Sequence, residues 1–228
     1  MPDAPAIKHN PRTWVVYADR TELDRALADV AAQGGGTVRW FVTNPTDDDA
    51  AAATRLGLAA ERDLFQLRRP LPVDAPRPQV RTRAFVVGED EEDFVAVNNR
   101  AFESHPEQGG WSVVDVTERE REPWFDPAGF LLHHDGETGA LAGFVWTKVH
   151  AAATPPLGEI YVIGVDPAYQ GQGLGRDLTV VGLDWLHRER GIDVGMLYVD
   201  STNTGAIVMY TKLGFTRHHT DRAFAGTV

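Results

Sequence analysis

The stretch from Val165 to Gly175, VDPAYQGQGLG, sets Gly171, Gly173 and Gly175 among Gln170, Gln172 and Leu174. Glycine carries no Cβ, so such a turn lets a ligand approach the backbone closely. If a helix begins directly after it, the first N–H groups of that helix remain free for an oxyanion at the positive end of the helix dipole. The chemistry on offer is the binding of a phosphate or pyrophosphate. The same glycines also suit a tight strand-to-helix connection with no ligand, and the loop alone does not separate the two readings.

The flanking elements place the loop. LGEIYVIGV, ending at Val165, reads as a strand. After the loop, Leu174, Leu178, Val181, Trp185 and Leu186 recur at spacings of four, seven, eleven and twelve, which gives one apolar helix face. Further on, GMLYVDSTNTGAIVMYTKLGF holds a short apolar strand, MLYV, and a helix over NTGAIVMYTKL closed by Gly214. The order is therefore strand, loop, helix, strand, helix, then Gly-Phe.

Here the chain resembles the GNAT N-acetyltransferase superfamily. Its acyl-CoA loop reads Q/R-x-x-G-x-G/A, which QGQGLG satisfies, and its later N-x-x-A-x-x-x-Y-x-x-x-GF pattern is met by Asn203, Ala206, Tyr210, Gly214 and Phe215. The resemblance implies an α/β fold, a mixed central sheet flanked by helices, with acetyl-CoA as cosubstrate.

Length and composition fit a globular enzyme. The chain has 228 residues, of which 43% are hydrophobic and 24% charged. With 33 acidic and 22 basic residues, a formal charge of −11 and no basic run, nucleic acid and anionic membranes are not expected partners. No apolar stretch approaches the roughly 20 residues that span a bilayer. MPDAPAIKHNPR has no apolar core of a signal peptide, so cytoplasmic residence is expected. The absence of cysteine excludes disulfides, thiolate nucleophiles and Cys-ligated zinc.

RRPLPVDAPRPQVR, with Pro70, Pro72, Pro76 and Pro78, reads as a linker. We expect a partial, degenerate GNAT-like domain over 1–72, a proline-rich linker over 73–79 and a complete catalytic domain over 80–228. In the first part WVVYA (14–18), TVRWFV (37–42) and DLFQLRR read as three strands. Thr21 is the expected cap of a helix carrying Leu23, Leu27 and Val30, and Thr46 with Asp47, Asp48 and Asp49 forms a capping-box start to an alanine-rich helix. DRTE stands where a pyrophosphate loop would fall, so no acyl-CoA site is expected there. Three strands leave a sheet edge open, and this part is expected to dock on the second or to support a homodimer.

After the linker, TRAFVVG is an expected strand, EDEEDFVAVNNRAFESH and TEREREPWF are expected helices, and FLLHHD pairs with LAGFVWTKV across GETG. TRHHTDRAFAGTV supplies the last strands. Adjacent histidines on a strand, His133 with His134 and His218 with His219, should point to opposite faces and so not share a metal ion.

A closer resemblance lies in NNRAFESHPEQGGW (98–111), WFDP (124–127), WTKVH (146–150) and LGEIYVIGVDPAYQGQGLG (157–175). Together these are similar to the mycothiol synthase family, tandem GNAT enzymes that acetylate the cysteinyl amine of cysteinyl-glucosaminyl-inositol. The resemblance runs from about residue 80 to the end and is weaker over roughly 20–72. It departs at the front, where the chain corresponds to only the latter half of a first domain.

Acetyl transfer needs a base for the acceptor ammonium, polarisation of the thioester carbonyl and an acid for the leaving thiolate. The resemblance implies Glu159 as base and Tyr210 as acid, a phenol with an ordinary pKa of about 10 lying near that of a thiol. It further implies that the backbone of Ile163, Gly164 and Val165 pairs with the pantetheine arm. The pyrophosphate is expected at Gln170, Gly171, Gln172, Gly173, Leu174, Gly175 and Arg176, and the CoA arm beside Asn203, Thr204, Gly205, Ala206, Ile207 and Val208. Glu107, Lys148, Glu159 and Tyr198 are the implied acceptor contacts, and no metal is expected. Two other readings remain open: a GNAT enzyme for another amine (aminoglycoside, polyamine or protein N-terminus) and a noncatalytic acetyl-CoA-binding module.

Overall fold

The computed structural model describes residues 13–76, 78–103 and 108–228, and the backbone of 6–10. The chain forms two compact units, one comprising the chain up to Leu67 with Tyr198–Ile207 and Arg217–Val228, the other Arg68–Leu197 with Val208–Thr216.

The first unit contains β1 (Ala6–Asn10), β2 (Thr13–Tyr17), α1 (Leu23–Ala32), β3 (Thr37–Thr43), α2 (Asp47–Arg55), most of β4 (Ala59–Pro70) and, from the far end of the sequence, β10 (Thr216–Thr227). Its strands run in the order β1-β2-β3-β10-β4. β10 lies antiparallel to β3 with Phe224 opposite Trp40, and the two rings pack at 5.4 Å between centroids. Val16, Leu23, Leu27, Val30, Val38 and Leu58 complete this core. Where three strands are expected the first unit thus has five, because β1 and the C-terminal strand join them. The segment expected to give the last strands is a single strand. α1 begins after Glu22 rather than Thr21, with no side-chain cap, whereas Thr46 and Asp49 cap α2 reciprocally as the sequence predicts.

Where β2 and β3 end there is a cavity of about 560 Å³ whose lining includes Asp19, Arg20, Glu22 and Asp49. Arg20 is engaged by Asp48 at 3.1 Å and by Asp49 at 3.7 Å. The rim is therefore dominated by carboxylates, a poor setting for a pyrophosphate.

The second unit holds β5 (Arg83–Ala84), α3 (Glu91–Ala101), α4 (Val113–Glu120), β6 (Phe130–His134), β7 (Leu141–His150), β8 (Leu157–Val165), α5 (Leu174–Arg190), the start of β9 (Val194–Asp200) and the end of α6 (Thr204–Lys212). The strand order is β9-β8-β7-β6-β5, antiparallel except for the β8–β9 pair. One face carries an aromatic core in which Phe130 stacks on Trp146 at 4.4 Å and Phe94 of α3 meets Phe144 edge-on at 4.7 Å. On the other face α5 lies close because Gly182 has no side chain; a Cβ there would fall 2.8 Å from Val145 and 2.9 Å from Ile160.

Two predicted elements differ here. The strand expected over TRAFVVG is two residues long, because Asp90 accepts the Val86 N–H at 2.7 Å and both terminal nitrogens of Arg83 at 2.6 Å, which turns the chain out of the sheet. The helix expected over TEREREPWF is instead Val113–Glu120: Ser112 and Asp115 cap its start, and Pro123 stops it before Trp124. Among the described residues no helix is long and apolar enough to cross a membrane.

Candidate active site

β8 is the axis of the site. A Cβ on Gly158 would meet Leu186 of α5 and Ile192, so Gly158 faces α5 and its neighbour Glu159 points to the opposite face. There Glu159 is only 7% exposed, yet its carboxylate is held: Oε2 lies 2.7 Å from Nε2 of His150. Lys148 stands directly across from Glu159 in the β7–β8 ladder. Its ammonium lies 4.4 Å from the ring centre of Trp124 and 5.2 Å from that of Tyr161, within cation–π range of both.

The register explains how Tyr161 reaches this patch. Trp146 pairs with Val162 and Thr147 with Ile160, so Tyr161 is the extra residue of a β-bulge. Burial is the main influence on the Tyr161 phenol and raises its pKa, against the charge and hydrogen bond of Arg119. Arg119 itself packs its guanidinium over Trp111 at 3.9 Å, which ties α4 to this face.

Beyond Glu159 the strands part. The parallel β8–β9 ladder joins Gly158 to Gly195 and Glu159 to Met196 among the described residues. Ile163, Gly164 and Val165 pair on one side with Val145, Phe144 and Gly143 of β7. Their other edge suits a ligand that hydrogen-bonds like a strand.

The strand then enters a 3-10 turn, Pro167–Tyr169, where Asp166 accepts the Ala168 N–H at 2.9 Å and is gripped by Arg100 of α3 at 2.6 Å. The Gln170 side chain folds back to the Val165 carbonyl at 3.3 Å. Gly171 and Gly173 adopt positive φ of 78° and 84°. Side chains avoid that region. No atom lies within 4 Å of where either Cβ would be. Gly173 is the N-cap of α5 and supplies no side-chain acceptor, so the first-turn amides from Leu174 have no side-chain cap at the positive end of a 17-residue helix. Gln172 is exposed, Leu174 is buried, and a Cβ on Gly175 would lie 3.8 Å from the Val165 side chain. Arg176 pairs with Asp177 at 2.7 Å, which offsets the positive charge expected of it here.

Asn203 caps α6 by accepting the Ala206 N–H at 3.1 Å and, through its carbonyl, that of Ile207 at 3.0 Å. Thr204, Gly205 and Val208 are exposed on the first turns. Tyr210 is 6% exposed, edge-on to Phe215 at 5.6 Å, and burial pushes its phenol up to about 12. Arg69 donates to the Leu213 carbonyl, fixing the end of this helix.

The structure brings Glu159 and Lys148 onto one patch. Tyr198 belongs to the first unit, where its hydroxyl accepts a hydrogen bond from Gln66 at 2.7 Å and its ring lies 6.3 Å from His219. Glu107 lies outside the described residues. Sequence reasoning missed His150, Trp124, Tyr161 and Arg119. His150 was within reach of it, since it stands two residues after Lys148 on a strand and so shares its face. The expectation that His218 and His219 point apart is corrected: their Nδ1 atoms lie 2.9 Å apart, both residues preceding Asp221, where pairing to β3 begins. Even so, no group of three or more His, Asp or Glu side chains among the described residues is placed to hold a metal ion.

The Acetyltransferase (GNAT) family pattern matches residues 88–215. A mycothiol acetyltransferase of Thermobispora bispora is 48% identical over 204 residues, covering 86% of this chain and 68% of that protein. One from Thermomonospora curvata is 51% identical over 206 residues, covering 87% and 66%. The chain thus spans about two thirds of the length of these relatives. Among solved structures, a GCN5-related N-acetyltransferase from Sphaerobacter thermophilus superposes with a TM-score of 0.73 at 21% identity, covering 98% of this chain and 76% of the other. A tandem GNAT protein from the clavulanic acid biosynthesis pathway gives 0.65 at 16% identity, covering 100% and 84%. These two speak to fold alone, whereas the family match and the close relatives establish that this chain belongs to the GNAT acetyltransferases, in the mycothiol acetyltransferase group.

Proposed function

We propose that this chain transfers the acetyl group of acetyl-CoA to the cysteinyl amine of cysteinyl-glucosaminyl-inositol, with catalysis carried by the part from about residue 80 onward. The observation that carries the reading is the buried carboxylate of Glu159 at the point where β8 and β9 part.

In this reading the open amides at the start of α5 bind the pyrophosphate, with Gly171 and Gly173 leaving room above the loop. The β8 edge at Ile163–Val165 pairs with the pantetheine arm and directs an N–H at the thioester oxygen. Glu159 takes a proton from the acceptor ammonium, the freed amine attacks the thioester carbon, and the C–S bond breaks. Tyr210 gives its phenolic proton to the departing thiolate and is reprotonated by the second proton that the nitrogen sheds as the amide forms, a role its raised pKa supports by keeping it protonated near neutrality. Lys148, drawn over Trp124 and Tyr161, is a donor for hydroxyls of the acceptor sugar.

The test is incubation with acetyl-CoA and cysteinyl-glucosaminyl-inositol beside a panel of aminoglycosides, polyamines and peptide N-termini, with products read by mass. The reading predicts N-acetylation of the cysteinyl acceptor above all others. Transfer to another amine alone would move the acceptor assignment, and binding without transfer to any amine would refute the enzyme.

A further inference from the structure

The reaction releases a proton that the groups above do not carry away. An ammonium and acetyl-CoA become an amide and a free thiol, so one proton per turnover must reach solvent. Glu159 is buried, and the neighbour placed to take its proton is His150, whose Nε2 lies 2.7 Å from Oε2 and whose side chain is 33% exposed. The Nδ1 of His150 has no protein partner among the described residues. The imidazole therefore has one nitrogen on the carboxylate and a second available to water.

The geometry points to His150 as a positioning and proton-relay residue for Glu159. In the ionised pair Nε2–H is donated to Oε2, which fixes the carboxylate and leaves Oε1 for the acceptor ammonium. Once Glu159 carries the ammonium proton, the imidazole in its Nδ1–H tautomer, reached by exchange of the ring proton with solvent, accepts the carboxyl proton at Nε2 as the Nδ1 proton passes to solvent, which restores the ionised carboxylate and the Nε2–H tautomer. No new bond other than N–H is made, and charge balances across the pair. The other titratable and charged groups facing the pair are Lys148, across the ladder from Glu159, and Tyr161, with Arg119 and Glu122 acting on Tyr161. Lys148 lies within cation–π range of Tyr161, and His150 is in hydrogen-bond contact with Glu159. The inference rests on Glu159 being the base.

The test compares wild type, His150→Phe, His150→Gln, His150→Ala and Glu159→Gln in acetyl transfer to cysteinyl-glucosaminyl-inositol across pH. In His150→Phe we expect kcat/KM for the acceptor to fall about tenfold, with its acidic limb moved up by about one pH unit and KM for acetyl-CoA unchanged. His150→Gln, whose amide can still donate, should return the limb toward wild type without restoring the rate. Free imidazole should raise the rate of His150→Ala several-fold, a response that lost packing would not give. An unaltered rate and pH profile in His150→Phe overturns the proposal. If that variant fails to fold, absence of imidazole rescue in His150→Ala overturns it instead. An inactive Glu159→Gln beside unaffected His150 variants removes only this inference, whereas an active Glu159→Gln removes the base itself.

Discussion

Replacing Tyr210 by Phe removes one oxygen and separates chemistry from packing. The ring is 6% exposed and rests on Phe215, and no described residue hydrogen-bonds its hydroxyl, so the substitution keeps every packing contact and breaks no internal bond. A hydroxyl with no protein partner contributes little to stability, so the variant should melt close to the wild-type temperature. The catalytic effect follows from the phenol. Burial raises it to about 12, whereas an ordinary thiol titrates at about 8.5, so full proton transfer to the thiolate is uphill by about 3.5 pH units, or roughly 5 kcal/mol. Donation then helps only as the C–S bond breaks and charge collects on sulfur, which sets its benefit at the lower end of the range from about 10² to about 10⁴, on the order of 10²-fold or roughly 2.7 kcal/mol. Single-turnover acetyl transfer, calorimetric titration of acetyl-CoA and thermal melting on the same preparation read the three quantities. Wild-type single-turnover rates would refute the acid role. A large fall in melting temperature would refute the claim that the hydroxyl has no structural partner.

Gly173→Ala forces a side chain to a φ of 84° with open space around it. The backbone cost, roughly 1 to roughly 2 kcal/mol, should raise KM for acetyl-CoA while kcat is largely kept, as steady-state kinetics would show. Gly164→Ala places a Cβ 2.6 Å from the Phe144 ring, which is wholly buried among other aromatics. Overpacking of roughly 1 to roughly 3 kcal/mol should lower the melting temperature of that variant by several degrees. Burial, reinforced by the neighbouring Glu91 carboxylate, raises Glu120 to about 7 against the opposing charge of Arg121. A carboxyl raised in the folded state contributes stability that is fully present below its unfolded value of about 4.3 and is lost as pH rises through about 7. Glu120→Gln should therefore melt higher than wild type at about pH 8, with the difference fading by about pH 5.

Much of this was legible in the sequence because its signals are local. The QGQGLG turn and the Thr46 capping box each lie within a few residues and form as read, and α5 forms with Leu174, Leu178 and Leu186 buried, while Val181 and Trp185 are half-buried and Val180 and Leu183 take their place in the core. What escaped depends on residues far apart in the chain. That β10 joins the strands of the first unit follows from Phe224 meeting Trp40, a contact no window along the chain contains. The bulge at Tyr161 depends on the register between two strands, and the strand at Arg83 is cut short by Asp90 seven residues on. The site divides the same way. Glu159 and Tyr210 came from motif resemblance, whereas the contact of His150 with Glu159 appears only once β7 and β8 are laid side by side.

The central claim is that Glu159 is the base for acetyl transfer, and the most direct measurement is the single-turnover rate of Glu159→Gln on cysteinyl-glucosaminyl-inositol, read by product mass near neutral pH. Glutamine keeps the size and a hydrogen-bond partner for His150 but accepts no proton. We predict a loss on the order of 10²- to 10³-fold with acetyl-CoA affinity intact, partly recovered at high pH where the acceptor amine is already neutral. A rate within a few fold of wild type would contradict the account.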